Sequence, residues 1–171
     1  VPASLGITGA EMAQRMLAAN GIYNVPIHRG GPDQDHFDPR TNSITLDPEA
    51  YSGTSITAIA TACHEVGHAC QFAQGYAPMK VRSALVPAVN LCSNLWMLLL
   101  VAGIFLNMAG LYTAAIVMYA VAVLFQIVPL PVELNASRRA MEYLGTTGIY
   151  PQEQSGAFSV LRACALTYVA A

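Results

Sequence analysis

The chain has 171 residues, of which 54% are apolar and only 11% charged, with a formal net charge of −2. Soluble domains average about 45–50% apolar and about 25% charged residues, so this is an unusually apolar chain of a length that suits one domain. It has no phosphate-binding loop, dinucleotide fingerprint or internal repeat, and the negative net charge without a basic run argues against nucleic acid as a partner.

In chain order, residues 8–20 predict a short amphipathic helix with Met12, Met16 and Leu17 on one face and Asn20-Gly21 as its stop. Val25-Pro26-Ile27-His28 and Ser43-Ile44-Thr45-Leu46 read as short strands on either side of a Gly- and Asp-rich loop, residues 30–40. Asp33, Asp35 and Asp38 in that loop lack the spacing of an EF-hand and read as solvated. His36 reads as a residue that holds the loop by hydrogen bonding, with stabilisation of an oxyanion as its alternative role. Ser43–Leu46 is the candidate edge strand to which an extended peptide could add.

Residues 56–63 then lead, without Gly or Pro, into His64-Glu65-Val66-Gly67-His68. Ser55 is the expected N-cap and Gly75 the expected stop. On a helix, positions i and i+4 share one face about a turn apart, so both imidazoles can reach one metal ion. Zinc suits the pair, since it accepts two His plus a carboxylate and keeps a fourth position open. Glu65 is then placed to act as acid and base on a metal-activated water. The plainer reading, two surface histidines, fits poorly with so apolar a helix and with the cost of burying Glu65 there. Cys63, Gly67 and Cys70 form a small-residue stripe away from the metal that would admit another helix or strand at close range. Cys63 and Cys70 would stand about 10 Å apart, too far for a disulfide. With Cys92 and Cys164 they read as apolar packing residues of a reducing compartment.

No charged residue occurs from Ser83 to Val132, a run of 50 positions. It contains two spans, residues 86–108 and 111–128, each near the ~20 residues that cross a bilayer. Ala109-Gly110 is the expected junction, and Asn90, Asn94 and Asn107 are polar interruptions expected to bond across helices or lie near an interface. A buried hairpin of a soluble protein is the alternative, but core helices of that length keep a charged face. Lys80 and Arg82 precede the run and Arg138 and Arg139 follow it, so both ends, and the His64–His68 helix with them, are expected on the cytoplasmic side.

A third metal ligand is required. Asp33, Asp35, Asp38, Asp47, Glu49, Glu133, Glu142 and Glu153 are the candidates. Glu133 follows Pro131 at the start of a helix expected to reach Leu144, with Gly145 ending it. Ser137 lies one turn on and could hydrogen-bond the ligands. A helix-capping carboxylate is the other reading of Glu133.

Gly9-Ala10-Glu11, Asp35-His36-Phe37-Asp38-Pro39, the segment Ala62-Cys63-His64-Glu65-Val66-Gly67-His68-Ala69-Cys70-Gln71 and Pro131-Val132-Glu133-Leu134-Asn135-Ala136-Ser137-Arg138-Arg139-Ala140 together resemble the YugP-like family of neutral zinc metallopeptidases. The resemblance spans nearly the whole chain, to Ala165-Leu166-Thr167-Tyr168-Val169-Ala170-Ala171. It implies a membrane-embedded peptidase of the HExxH…E, gluzincin-like type, with His64, His68 and Glu133 as zinc ligands and Glu65 as catalytic acid/base. The Glu133 segment is also similar to the HtpX-like membrane peptidases, where an Asp stands in place of Ser137. Family members usually carry further transmembrane helices at both ends, so such helices are expected to flank this chain.

The expected fold is mainly α with a small β element: a zincin-like core joined to a transmembrane hairpin, one unit made of residues 1–82, the hairpin 83–130 and the C-terminal helices 131–171. The expected function is a multi-pass, membrane-anchored zinc endopeptidase acting on peptides or proteins, some of them membrane-proximal. Two other functions compete with it, a structural zinc site without catalysis and a non-catalytic membrane scaffold.

Overall fold

Thr8 accepts a hydrogen bond from the Glu11 N–H at 3.2 Å, and helix α1 (Gly9–Ala19) starts from this cap. Met12, Met16 and Leu17 are buried, the face the spacing predicts. The computed structural model describes residues 6–148 and 151–170; the side chain of Cys164 and the whole of Ala171 lie outside the described residues.

Three strands follow, β1 (Ile27–Arg29), β2 (His36–Asp38) and β3 (Ser43–Leu46), in the order β1-β3-β2. β1 runs parallel to β3, with Ile27 opposite Ile44, and β2 runs antiparallel to it, with Phe37 opposite Ile44. Two expectations are corrected here. The loop over residues 30–40 contains a strand, β2, and Ser43–Leu46 is the central strand rather than an edge. Ile44 and Leu46 are fully buried, and the two neighbouring strands occupy both hydrogen-bonding sides of β3. A peptide therefore cannot add to it. β2 is the edge on the side of the His64–His68 helix, with the Phe37 ring 5.8 Å from that of Phe72.

Asp47 caps the short helix α2 (Pro48–Ser52) by accepting from the Ala50 N–H at 2.7 Å. Ser55 caps α3 (Ile56–Ala73) in the same way through the Ala58 N–H at 3.1 Å, as expected. α3 closes with the Tyr76 N–H donating to Gln71 O at 2.9 Å and the Gly75 N–H to Phe72 O at 3.2 Å. Gly75 holds φ +66 there, a conformation that glycine adopts without steric cost.

Helices α4 (Ala77–Leu106) and α5 (Ala109–Phe125) form the hairpin. Both are apolar, and with the chain beyond α5 each is long enough to cross a bilayer. α4 starts well before the expected span, and the turn falls at Asn107-Met108, ahead of the expected Ala109-Gly110. Asn107 takes the left-handed conformation, φ 52, which asparagine tolerates, and its N–H bonds to Gly103 O. Among the described residues only Met79 and Gly103 of α4 and Ala115 and Ala122 of α5 are buried. Leu98, Phe105 and Ile116 are 63%, 82% and 65% exposed. A core helix of a soluble protein would hide such side chains, so this outward apolar face separates the hairpin from the buried alternative.

α6 (Pro129–Gly145) returns across α3, and α7 (Pro151–Ala170) packs on both, burying Ala157 and Leu161. The mainly helical fold with a small sheet is thus as expected. The α3–α6 crossing is tight: a Cβ on Gly67 would lie 2.6 Å from Ala136 O. The stripe predicted to admit a close neighbour does so at Gly67, against α6, while Cys63 and Cys70 are buried in the core and unpaired.

Gly67→Ala should therefore push the two helices apart. A loss of about 1–3 kcal/mol, the usual cost of overpacking, is expected as a lowered thermal midpoint in detergent; an unchanged midpoint would mean that the crossing is slack.

Candidate metal centre

One turn of α3 brings His64 and His68 side by side, with ring centroids 4.8 Å apart and planes at 85°. α6 supplies Glu133. Its Oε2 lies 2.8 Å from His64 Nε2 and its Oε1 3.3 Å from His68 Nε2. One ligand atom from each residue falls within 4.8 Å of the others, and all three side chains are nearly enclosed. Tetrahedral zinc with bonds of about 2.0–2.1 Å separates its ligands by about 3.3 Å. Two imidazole nitrogens and a carboxylate oxygen at these separations suit that ion in both donor type and spacing.

Glu65, only 7% exposed, points into the same cleft, a space of about 160 Å³ whose walls include Asp35, His36, Phe37, Met79 and Arg82. Beyond the histidines the contacts continue. His64 Nδ1 lies 3.0 Å from Ser137 Oγ, the bond anticipated from their positions. His68 Nδ1 lies 3.0 Å from Gln71 Oε1, and Gln71 Nε2 donates to Val132 O at 2.8 Å and to Asn135 Oδ1 at 3.0 Å. Arg82, at the foot of the hairpin, donates to Glu133 Oε1 at 3.3 Å.

The electrostatics follow from burial. Desolvation alone would raise the Glu133 carboxyl, but hydrogen bonds with His64 and His68 outweigh it and hold the group well below the ordinary carboxylate range. Burial would likewise lower His68, and the Glu133 contact reverses the direction. An ion binding here would displace the protons of these His–Glu hydrogen bonds. Glu65 makes no such bond to a histidine, and burial raises its carboxyl above the usual value.

The other third-ligand candidates are engaged elsewhere or stand apart. Asp47 caps α2 and donates its N–H to Asp35 Oδ1 at 2.8 Å. Asp38 pairs with Arg40, and Glu142 with Arg138. Asp33, Glu49 and Glu153 lie outside the cleft walls, and Asp35, though a wall residue, is not part of the three-residue cluster. His36 does reach the cleft. Cys63 is buried in that core, where desolvation pushes its thiol up and makes a thiolate ligand unfavourable. Arg82 and Gln71 were not singled out as site residues from the sequence. The available signals were a glutamine three residues past His68 on an apolar helix, and an arginine bordering the uncharged run that Glu133 ends.

Comparison with known proteins agrees with this chemistry. The family model described as "Putative neutral zinc metallopeptidase" matches residues 1–171. A protein of Bacillus subtilis (strain 168), named "Putative membrane protease YugP", is 43% identical over 173 residues, an alignment covering all of this chain and 77% of that protein. No solved structure matches at the same level of significance.

Zinc bound only to the folded chain must stabilise it by mass action, by about 2.7 kcal/mol at a hundred times its Kd. Thermal melts with and without a chelator should differ accordingly, and the difference should vanish in His68→Ala. A zinc-independent melt of the parent would contradict the fit of this cluster to the metal.

Proposed function

This chain belongs to the family described as "Putative neutral zinc metallopeptidase", and from that premise we propose that it is a membrane-anchored zinc endopeptidase with a zincin-like core. His64, His68 and Glu133 hold the metal, and Glu65 is the catalytic acid and base. The observation that carries this reading is the convergence of two imidazoles and a carboxylate beside a second, buried carboxylate in one cleft.

Bound zinc would supply Lewis acidity, acidifying a water and polarising the scissile carbonyl. The chain's own groups do the rest. Glu65 accepts a proton from the attacking water on a carboxylate oxygen and later delivers it to the departing amine nitrogen. Its buried position keeps bulk water from competing for that proton. His36 and Arg82 face the cleft and are the available donors for a developing oxyanion. An extended substrate pairs with the free edge of β2, beside the histidines, in the role first assigned to β3. Main-chain pairing of this kind gives little side-chain selectivity and favours unfolded or membrane-proximal segments.

In this reading α4 and α5 cross the bilayer, with the site on the cytoplasmic side. The uncharged run, its basic flanks and the outward apolar faces support that topology. Single cysteines at Ala73 and Gly110, in a background lacking the native cysteines, should react with an impermeant thiol reagent from opposite sides of the membrane. Reaction of both from the cytoplasm would overturn the topology.

Glu65→Gln tests the chemistry and separates it from a structural zinc site. The variant should bind zinc as the parent does, since Glu65 is no ligand, and lose peptide cleavage by ~10²-fold or more. Equal cleavage at equal metal content would refute the mechanism.

A further inference from the structure

Gln71 is fully buried on α3, three residues beyond His68, and faces neither the cleft nor solvent. Its contacts leave only one orientation for its amide. One end lies 2.8 Å from the Val132 carbonyl oxygen, which only accepts, so that end is the nitrogen. The same nitrogen lies 3.0 Å from Asn135 Oδ1. That atom is in turn identified as oxygen because Arg139 Nε, which only donates, reaches it at 2.7 Å. Two independent partners therefore turn Gln71 Oε1 toward His68 Nδ1, at 3.0 Å. A carbonyl oxygen has no proton to give, so His68 must carry one on Nδ1. Its Nε2, facing Glu133 Oε1 at 3.3 Å, is then the nitrogen that can turn a lone pair to a metal once the proton it holds toward Glu133 is displaced. His64 lacks such a lock, because its Nδ1 meets a hydroxyl that can donate or accept.

We infer that Gln71 is a positioning residue that holds His68 in the Nδ1–H tautomer, with Arg139 acting through Asn135 as the remote anchor of the amide. The inference rests on the reading of His68 as a ligand. A neutral amide does this work without adding a third negative charge beside Glu65 and Glu133, as a carboxylate at position 71 would. It also ties the second histidine to the backbone immediately before Glu133, so a rotation of His68 would strain the placement of the third ligand.

Two measurements decide the matter. Long-range ¹H–¹⁵N spectra of the histidine-labelled parent should show a proton on His68 Nδ1 both with zinc and with chelator. Gln71→Met keeps the volume and removes the acceptor; its zinc Kd should rise about 10- to 100-fold, and the His68 Nδ1 proton signal should be lost. A folded Gln71→Met with the parent's zinc affinity, or a parent whose His68 proton sits on Nε2 alone, would overturn the inference. Should Gln71→Met not fold, the parent spectra still decide it. If the parent took up no zinc, the metal-centre reading would fall separately, and the spectrum of the metal-free protein would still test the tautomer.

Discussion

At the crossing of α3 and α6 the helix backbones meet almost without an intervening side chain. Gly67 makes this possible, because any Cβ there would run into Ala136. Each link of the site needs that approach. Glu133 lies one turn of α6 before Ser137, with Ala136 against Gly67 in the same stretch, so the two functional groups straddle the contact. Gln71 reaches Val132 across the same gap, joining residues 61 apart in the chain. With an ordinary side chain at position 67 these bonds of 2.8–3.0 Å would open together.

Burying Glu133 at 3% exposure sets a second constraint. An uncompensated carboxylate in such a place costs several kcal/mol. Here two imidazoles and the Arg82 guanidinium surround it. Arg82 belongs to the foot of α4, so the hairpin contributes to the electrostatics of the site as well as to its attachment. The cleft and the apolar helices are thereby joined through one ion pair.

Much of this was legible in the chain. The His64–Glu65–His68 spacing, the Ser55 cap, the Gly75 stop and the uncharged run each follow local rules that a few neighbouring residues satisfy. Ser137 was legible for the same reason, being one turn from Glu133. What escaped depends on contacts between distant residues. β2 is three residues long and partly polar, with no alternation to announce it, and exists because β3 pairs with it. The central place of β3 arises from a parallel partner that no hairpin signal marks. Spacing alone left Glu133 among eight carboxylates and the family resemblance named it; the contact of α6 with α3 brings it to the two histidines. Arg82 and Glu133 border the two ends of the uncharged stretch, which a hairpin brings to one side as expected; their direct pairing depends on side-chain placement that the sequence does not carry. The turn sits at Asn107 rather than at Ala109-Gly110 because asparagine, like glycine, tolerates the left-handed conformation.

His64 and His68 lie ahead of the uncharged run and Glu133 lies just behind it. A ribosome therefore releases an incomplete ligand set first and must make the whole hairpin before the last member emerges. Only after α4 and α5 have folded back on each other can α6 reach Gly67 and complete the cluster. Order of synthesis thus leaves the three-residue cluster incomplete until the whole hairpin has been made.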